Sequence, residues 1–441
     1  MKHSVYPKYK KSGVEWLGNV PENWEVKRIG HTTYVKGRIG WQGLTSDEFV
    51  DEGPYCVTGT DFYDGKVNWA SCYHVGEERY SEDPYIQLKE DDLLITKDGT
   101  IGKTAVVKKL DGKATLNSGI FLTRPLRYTY NADYMYWILN SSSFTGFIDL
   151  TKTGTTISHL YQNVFVRFQF PLPSTTEQQA IADFLDHETG RIDMLISKKQ
   201  KFIELLKEKR TVLISRAVTK GLNPKVKTKP SGVEWLCDVP MQWETLPLRR
   251  VVKTIKTGGT PTGAEDSAFD DDGFDWYSPS DFEERTILSK SKRALSEEGK
   301  KEVRIFPKNT VMLVGIGATI GKVGLSIEIS SCNQQINGIV CGNLLDPLFT
   351  TYYLKTMRDF IVKCGKYTTL PIINQDETKN IIFTLPPLLE QQAIAAFLDR
   401  ETGKIDALVS KVETVIEKLK EYRTALISAA VTGKIDVREV A

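Results

Sequence analysis

The chain has 441 residues, 40% of them hydrophobic and 10% aromatic, and carries 58 Lys and Arg against 56 Asp and Glu. This suits two to four domains with ordinary cores, and a formal net charge of +2 excludes a uniformly basic nucleic-acid binder, so any DNA-binding face must come from local clustering. Six cysteines without a CxxC pair exclude a clustered thiolate zinc site and, at this length, a disulfide framework; no metal, no cofactor and a reducing cytoplasm are expected.

The N-terminal stretch MKHSVYPKYKKSGVEW has no apolar core for a secretory signal. Val311–Ile320, the most apolar run, falls short of the roughly 20 residues that span a bilayer, so no membrane partner is expected. Residues 12–29 read SGVEWLGNVPENWEVKRI and return at 231–248 as SGVEWLCDVPMQWETLPL. The same offset relates Thr100-Ile101-Gly102-Lys103 to Thr319-Ile320-Gly321-Lys322, and Gly119-Ile120 to Gly338-Ile339. An internal repeat governs every later assignment: one unit is written twice.

Between these motifs the pattern is β-rich. Runs at 92–96, 103–107 and 119–122, matched at 310–314 and 338–340, carry β-branched and aromatic residues and are punctuated by the turn dipeptides Asp98-Gly99 and Asp111-Gly112. Asn131–Leu139 and Pro347–Lys355 read as helices. Each half is therefore expected to hold an α+β module.

The clearest repeat comes last in each half. Glu177–Leu222, EQQAIADFLDHETGRIDMLISKKQKFIELLKEKRTVLISRAVTKGL, aligns without a gap on Glu390–Ile435, EQQAIAAFLDRETGKIDALVSKVETVIEKLKEYRTALISAAVTGKI, with roughly two positions in three identical. Ser174-x-x-Glu177 has the pattern of a capping box, and the second copy enters through Pro386-Pro387. Gly190 and Gly403 are expected to divide each stretch into a short helix and a long one, with Gly221 and Gly433 ending the long helices. In the second copy Ile405, Leu408, Val412, Val415, Leu419, Tyr422, Leu426 and Ala429 make an unbroken 3-4 seam. The first copy places Ile192, Leu195, Phe202, Leu206 and Leu213 on that seam and interrupts it with Lys199, Lys209 and Arg216. A second stripe runs through Ile196, Ile203 and Ile214, and through Val409, Ile416 and Ile427. The two long helices are expected to pair with each other as an antiparallel coiled coil, giving a pseudo-twofold internal repeat. About 28 residues at 1.5 Å make a rod of roughly 42 Å, near one turn of B-DNA at roughly 34–36 Å, which suggests two readers and a ruler.

Catalytic patterns are scarce. Gly102-Lys103-Thr104 lacks the leading P-loop glycine, since residue 97 is Lys97, and the repeat has Val323 in place of the hydroxyl. No Gly-rich S-adenosylmethionine loop, Asn/Asp-Pro-Pro-aromatic run or HExxH is found. His31, His74, His159 and His187 are scattered, and Asp270-Asp271-Asp272 reads as a solvated loop; nothing assembles into a catalytic constellation. Loops rich in hydroxyls, amides and cations are better represented, and such groups donate to phosphates and base edges. Lys36–Gln42 corresponds to Ile255–Thr260, Thr58–Asp61 to Ser278–Asp281, and Thr153–Thr156 to Tyr367–Thr369. The candidate DNA contacts are Lys36, Arg38, Trp41, Thr60, Lys97, Thr100, Lys103, Thr155 and Thr156 in the first half. In the second they are Lys256, Thr260, Ser280, Thr319, Lys322, Thr368 and Thr369.

The order of a variable module, an EQQAIAxFLDxETGxIDxLxxK helix, a second variable module and a second such helix resembles the specificity subunit of type I restriction-modification enzymes. SGVEWLGNVPENWE with FPLPSTTEQQAI, and SGVEWLCDVPMQWE with TLPPLLEQQAI, are similar to that family's module-opening and module-closing motifs, and the resemblance covers both halves. It implies target recognition domains at 1–175 and 224–388, reading the two halves of a bipartite, asymmetric double-stranded DNA sequence. It implies conserved helical regions at 176–223 and 389–441 that pair and dock the methyltransferase (modification) subunits, two copies being expected, and through them the restriction and translocase subunits. Methyl transfer, ATP hydrolysis and cleavage would belong to those partners. A stand-alone two-domain DNA-binding regulator is the alternative.

Overall fold

The computed structural model describes residues 4–38, 44–151, 159–233, 236–262, 265–283, 285–364, 366–367 and 371–438. The chain forms two compact units, one of residues 1–199 with 413–441 and the other of residues 200–412. Each contains one α+β module, the start of one long helix and the end of the other.

In the first unit a six-stranded sheet has the order 33–36, 120–125, 93–96, 104–106, 66–67, 62–63. Its pairings are antiparallel except that of 104–106 with 66–67. A three-stranded sheet, 114–116, 49–57, 73–75, lies beside it in the same module. Asn131 caps the helix Ala132–Leu139, its side chain accepting from the N–H groups of Asp133 and Tyr134. The second unit repeats the plan with a four-stranded sheet, 252–257, 336–341, 310–314, 323–326, a three-stranded sheet, 294–295, 269–277, 331–332, and the helix Pro347–Thr356 capped by Asp346. In both units a strand after the SGVEW motif pairs with the strand leading into a long helix: 25–28 with 169–172, and 244–247 with 382–385.

The cores show why the helical segment is repeated so closely. In the first unit Ile181 and Leu185 pack in one cluster with Ile427, Ala430, Val431, Trp24 and Phe170. In the second, their repeat equivalents Ile394 and Leu398 pack with Ile214, Ala217, Val218, Trp243 and Phe383. Fully burying an isoleucine, leucine, valine or phenylalanine among these is worth about 1.5–3 kcal/mol each, and both units use the same set. Gln178 and Gln391 are buried as well. The amide of Gln178 accepts from Asn131 N at 2.8 Å and donates to Pro173 O at 3.0 Å. Gln391 accepts from Asp346 N at 2.9 Å and donates to Pro386 O at 2.8 Å. One glutamine thus ties each long helix to the residue that caps its module's helix.

Two expectations are corrected here. The long helices are continuous, Thr175–Lys220 over 46 residues and Leu388–Val431 over 44, so Gly190 and Gly403 do not divide them. Tertiary packing on both sides of each glycine outweighs its cost of about 1 kcal/mol in a helix interior. At 1.5 Å per residue they run to roughly 65–70 Å, well beyond the expected rod. The capping box at Ser174 is only half formed: Ser174 Oγ accepts from Glu177 N at 3.4 Å, but the Glu177 carboxylate accepts from Tyr6 OH at 2.6 Å. Gly221 and Gly433 end the helices as expected, with φ of +75° and +70°. Among the described residues no helix is long and apolar enough to cross a membrane.

Candidate nucleic-acid interface and helix surface

Both modules build the same loop from different residues. In the first, Thr58 donates to Asp61 Oδ2 through its N–H at 2.7 Å and its hydroxyl at 2.8 Å. In the second, Ser278 does so to Asp281 Oδ2, at 2.7 Å from both groups. The other carboxylate oxygen is also taken, by Ser71 Oγ at 3.1 Å in one case and Lys292 N at 2.8 Å in the other. Two buried aspartates therefore fix these loops and leave the hydroxyls of Thr60 and Ser280 on the surface, 2.7 and 2.8 Å from Thr58 Oγ1 and Ser278 Oγ.

A second loop meets the first in each module. Lys103 Nζ donates to Gly59 O at 3.3 Å and lies 5.8 Å over the Phe62 ring; Lys322 Nζ donates to Phe282 O at 2.9 Å. Neither forms a salt bridge among the described residues, and each is held by a backbone carbonyl of the loop that carries the exposed hydroxyl. In the second module Lys292 Nζ adds another cation, donating to Ser280 O at 2.7 Å. Nothing in the spacing of Lys292 marks it in the sequence. Cations held by carbonyl oxygens next to exposed hydroxyls can position a phosphate and leave neighbouring polar groups to read base edges.

The remaining candidates divide. Lys36 and Lys256 are exposed at equivalent positions on the strands 33–36 and 252–257, and Lys36 sits 5.7 Å over the Tyr85 ring. Thr100 is exposed, Thr319 is half-buried, and Thr260 is exposed with its hydroxyl 2.5 Å from Gln334 Oε1. Arg38 is placed otherwise. It is 1% exposed, with Nε donating to Leu116 O at 2.8 Å and Nη2 to Thr115 Oγ1 at 3.2 Å, and burial lowers its pKa. Lys97 is also buried, its Nζ 3.4 Å from Arg38 O and 5.1 Å over the Phe121 ring, and burial pulls its pKa down. These two cations bind the ends of neighbouring strands together, with their charged heads inside the module. Trp41, Thr155, Thr156, Thr368 and Thr369 lie outside the described residues.

The helix seam is shifted from its expected position. Ile192, Leu206, Ile405, Val412 and Leu426 are buried, and Leu213 and Leu419 are half-buried against the cores. The second column of the seam lies one residue further on, at Ile196, Ile203, Arg210 and Ala217, and at Val409, Ile416, Arg423 and Ala430, all buried or half-buried. Leu195, Phe202, Leu408, Val415 and Tyr422 instead stay 37–43% exposed. Lys209 and Arg216 are exposed and interrupt nothing. The two arginines on the seam end in ion pairs. Arg423 Nε donates to Asp193 Oδ1 at 3.0 Å in the first unit, and Arg210 Nε donates to Asp406 Oδ1 at 3.0 Å in the second.

Residues 21–205 and 240–418 match the family model described as the type I restriction modification DNA specificity domain. The chain is 25% identical over 438 residues to the type I restriction enzyme MjaVIII specificity subunit of Methanocaldococcus jannaschii, covering 96% of this chain and 95% of that one. It is 21% identical over 363 residues to the EcoBI specificity subunit of Escherichia coli, covering 78% and 74%. A solved chain from a study of assembly and conformational transition in the type I restriction-modification system shares the fold at a TM-score of 0.73 and 16% identity, over 93% of this chain and 98% of that one. The HsdS subunit of Thermoanaerobacter tengcongensis shares it at 0.54 and 16%, over 94% and 98%.

Proposed function

The chain belongs to the type I restriction-modification DNA specificity family, and from that premise we propose which of its residues read DNA and which receive the partner subunits. It is the non-catalytic recognition subunit of a methyltransferase and endonuclease complex, with DNA and the methyltransferase subunits as its partners. That membership does not favour a stand-alone regulator. Residues 1–175 and 224–388 act as the two target recognition domains, and 176–223 and 389–441 as the conserved helical regions, in the cytoplasm where the DNA is.

The observation that carries the DNA reading is the pair of loops built twice. Thr60 with Lys103, and Ser280 with Lys322, hold equivalent positions on modules whose remaining loop residues differ. Equivalent scaffolds place the phosphate contacts, and divergent side chains around them read two different half-sites. Lys36, Lys256, Thr100, Thr260, Thr319 and Lys292 extend this face. Leu195, Phe202, Leu408, Val415 and Tyr422, left uncovered by the seam, are the apolar surface that methyltransferase subunits cover, with restriction subunits following through them. The test uses the full chain with its methyltransferase. Thr60→Ala with Lys103→Ala, and Ser280→Ala with Lys322→Ala, should each weaken DNA binding by the complex, for specific and unrelated sequences alike. Unchanged affinity in both double variants would remove Thr60, Lys103, Ser280 and Lys322 from the interface.

A further inference from the structure

Gly190 and Gly403 pose a question that the fold does not answer. Glycine is the least favourable ordinary residue in a helix interior after proline, yet both copies of the long helix keep one at the same place. A Cβ at either position would have nothing within 4 Å, so no packing within the chain requires the missing side chain. Each glycine instead lines a cavity beside its module, of about 260 Å³ in the first unit and about 320 Å³ in the second.

The two cavities share a wall. In the first unit it is made of Asp186, Thr189, Gly190, Asp193 and Arg423; in the second, of the repeat equivalents Asp399, Thr402, Gly403, Asp406 and Arg210. All five identities are kept, while the opposite walls differ, with Lys108, Asp133 and Trp137 in one and Arg285, Ile287 and Leu288 in the other. The arginines are already matched to Asp193 and Asp406. Asp186 and Asp399 form no salt bridge among the described residues, although Asp186 Oδ1 accepts from Trp137 Nε1 at 3.0 Å.

We propose that these are two equivalent docking notches, each receiving a lysine or arginine side chain from one methyltransferase subunit. The cation meets Asp186 or Asp399, and its stem or backbone passes over the bare glycine. The inference rests on the reading that the helical regions dock the methyltransferase, and it adds the place and the chemistry. A ligand bound identically beside two divergent modules is one presented twice, as two copies of one partner present it. DNA is disfavoured, because the wall common to both cavities offers two carboxylates against one already-paired arginine, and the further cations, Lys66 and Lys108 in one cavity and Arg285 in the other, are not shared between the two. A desolvated cation held by a carboxylate is a strong anchor when its charge is matched.

The experiment co-expresses the full chain with its methyltransferase and reads stoichiometry by native mass spectrometry and affinity by titration. Gly190→Leu and Gly403→Leu fill the notches, and Asp186→Asn and Asp399→Asn remove the charge. Gly190→Ala with Gly403→Ala should raise the melting temperature of the chain alone, because each adds helix propensity in open space, which verifies that such variants fold. Each single leucine or asparagine variant should weaken one of two methyltransferase copies by at least about tenfold, and the double variants should weaken both. Two copies bound with unchanged affinity by the double leucine variant would overturn the proposal. So would a self-association of the chain alone that the leucine variants abolish, since the occupant would then be a second copy. If the wild-type chain binds no methyltransferase at all, the docking reading fails first; if it binds and ignores the notch variants, only this inference fails.

Discussion

Arg423 donates to Asp193 at 3.0 Å, and its repeat counterpart Arg210 donates to Asp406 at the same distance. Asp193 and Asp406 are themselves repeat equivalents, so each helix contributes one arginine and one aspartate. The same number of residues separates Asp193 from Arg210 as separates Asp406 from Arg423, and one antiparallel register therefore serves both ion pairs.

Those pairs fix register more than they add stability. The carboxylates are about half exposed, and exposed ion pairs contribute about 0.2–1 kcal/mol. Arg423→Ala and Arg210→Ala should each lower the unfolding free energy by about 1 kcal/mol or less, with an effect that shrinks at high salt. Urea denaturation at two ionic strengths measures this. A salt-independent loss would point to packing of the arginine stems instead.

Gln178→Ala and Gln391→Ala should be far more damaging. Each leaves the cap residue's N–H and a proline carbonyl without their partner inside a core, at about 2–3 kcal/mol apiece. Thermal unfolding should show both variants well below the wild type. A glutamate at these positions should not restore stability, because a buried carboxylate cannot donate to Pro173 O or Pro386 O.

Much of the architecture was legible because it is written twice. The strands at 93–96 and 310–314, the helices after Asn131 and Asp346 and the glycine ends at 221 and 433 all follow from local pattern. The seam was misplaced for a physical reason. Counting apolar residues favoured Leu408, Val415 and Tyr422, whereas the buried column includes Arg423 and Arg210, whose stems pack while their heads reach an aspartate. The continuity through Gly190 and Gly403 was hidden because local propensity is a weak prior when flanking turns are packed. Arg38 and Lys97 look like phosphate contacts in sequence, and only the tertiary fold shows their donors turned inward. The duplicated role of Gln178 and Gln391 was visible as a motif but not as a tie, since the cap residues they hold, Asn131 and Asp346, lie more than forty residues away.

Lys103→Ala and Lys322→Ala should weaken DNA binding for specific and unrelated sequences alike, and each should reduce the salt slope of log affinity by about one. Arg38→Met should instead lower the stability of the chain, leaving the salt slope unchanged. Titrations of the full complex at several salt concentrations separate the two behaviours.

Inserting four residues, about one helical turn, after Ser197 should change the spacer of the recognised motif and leave its half-sites intact. Sequencing the methylated sites of a host that carries the variant reads both at once. An unchanged spacer would show that the helices do not set the distance.

The central claim is that each module reads its own half of the target. The most direct measurement replaces residues 1–175 with the first module of another family member and maps the methylated motif of the host genome. One half of the motif should change and the other should stay as it was. A motif altered in both halves, or in neither, would contradict the account.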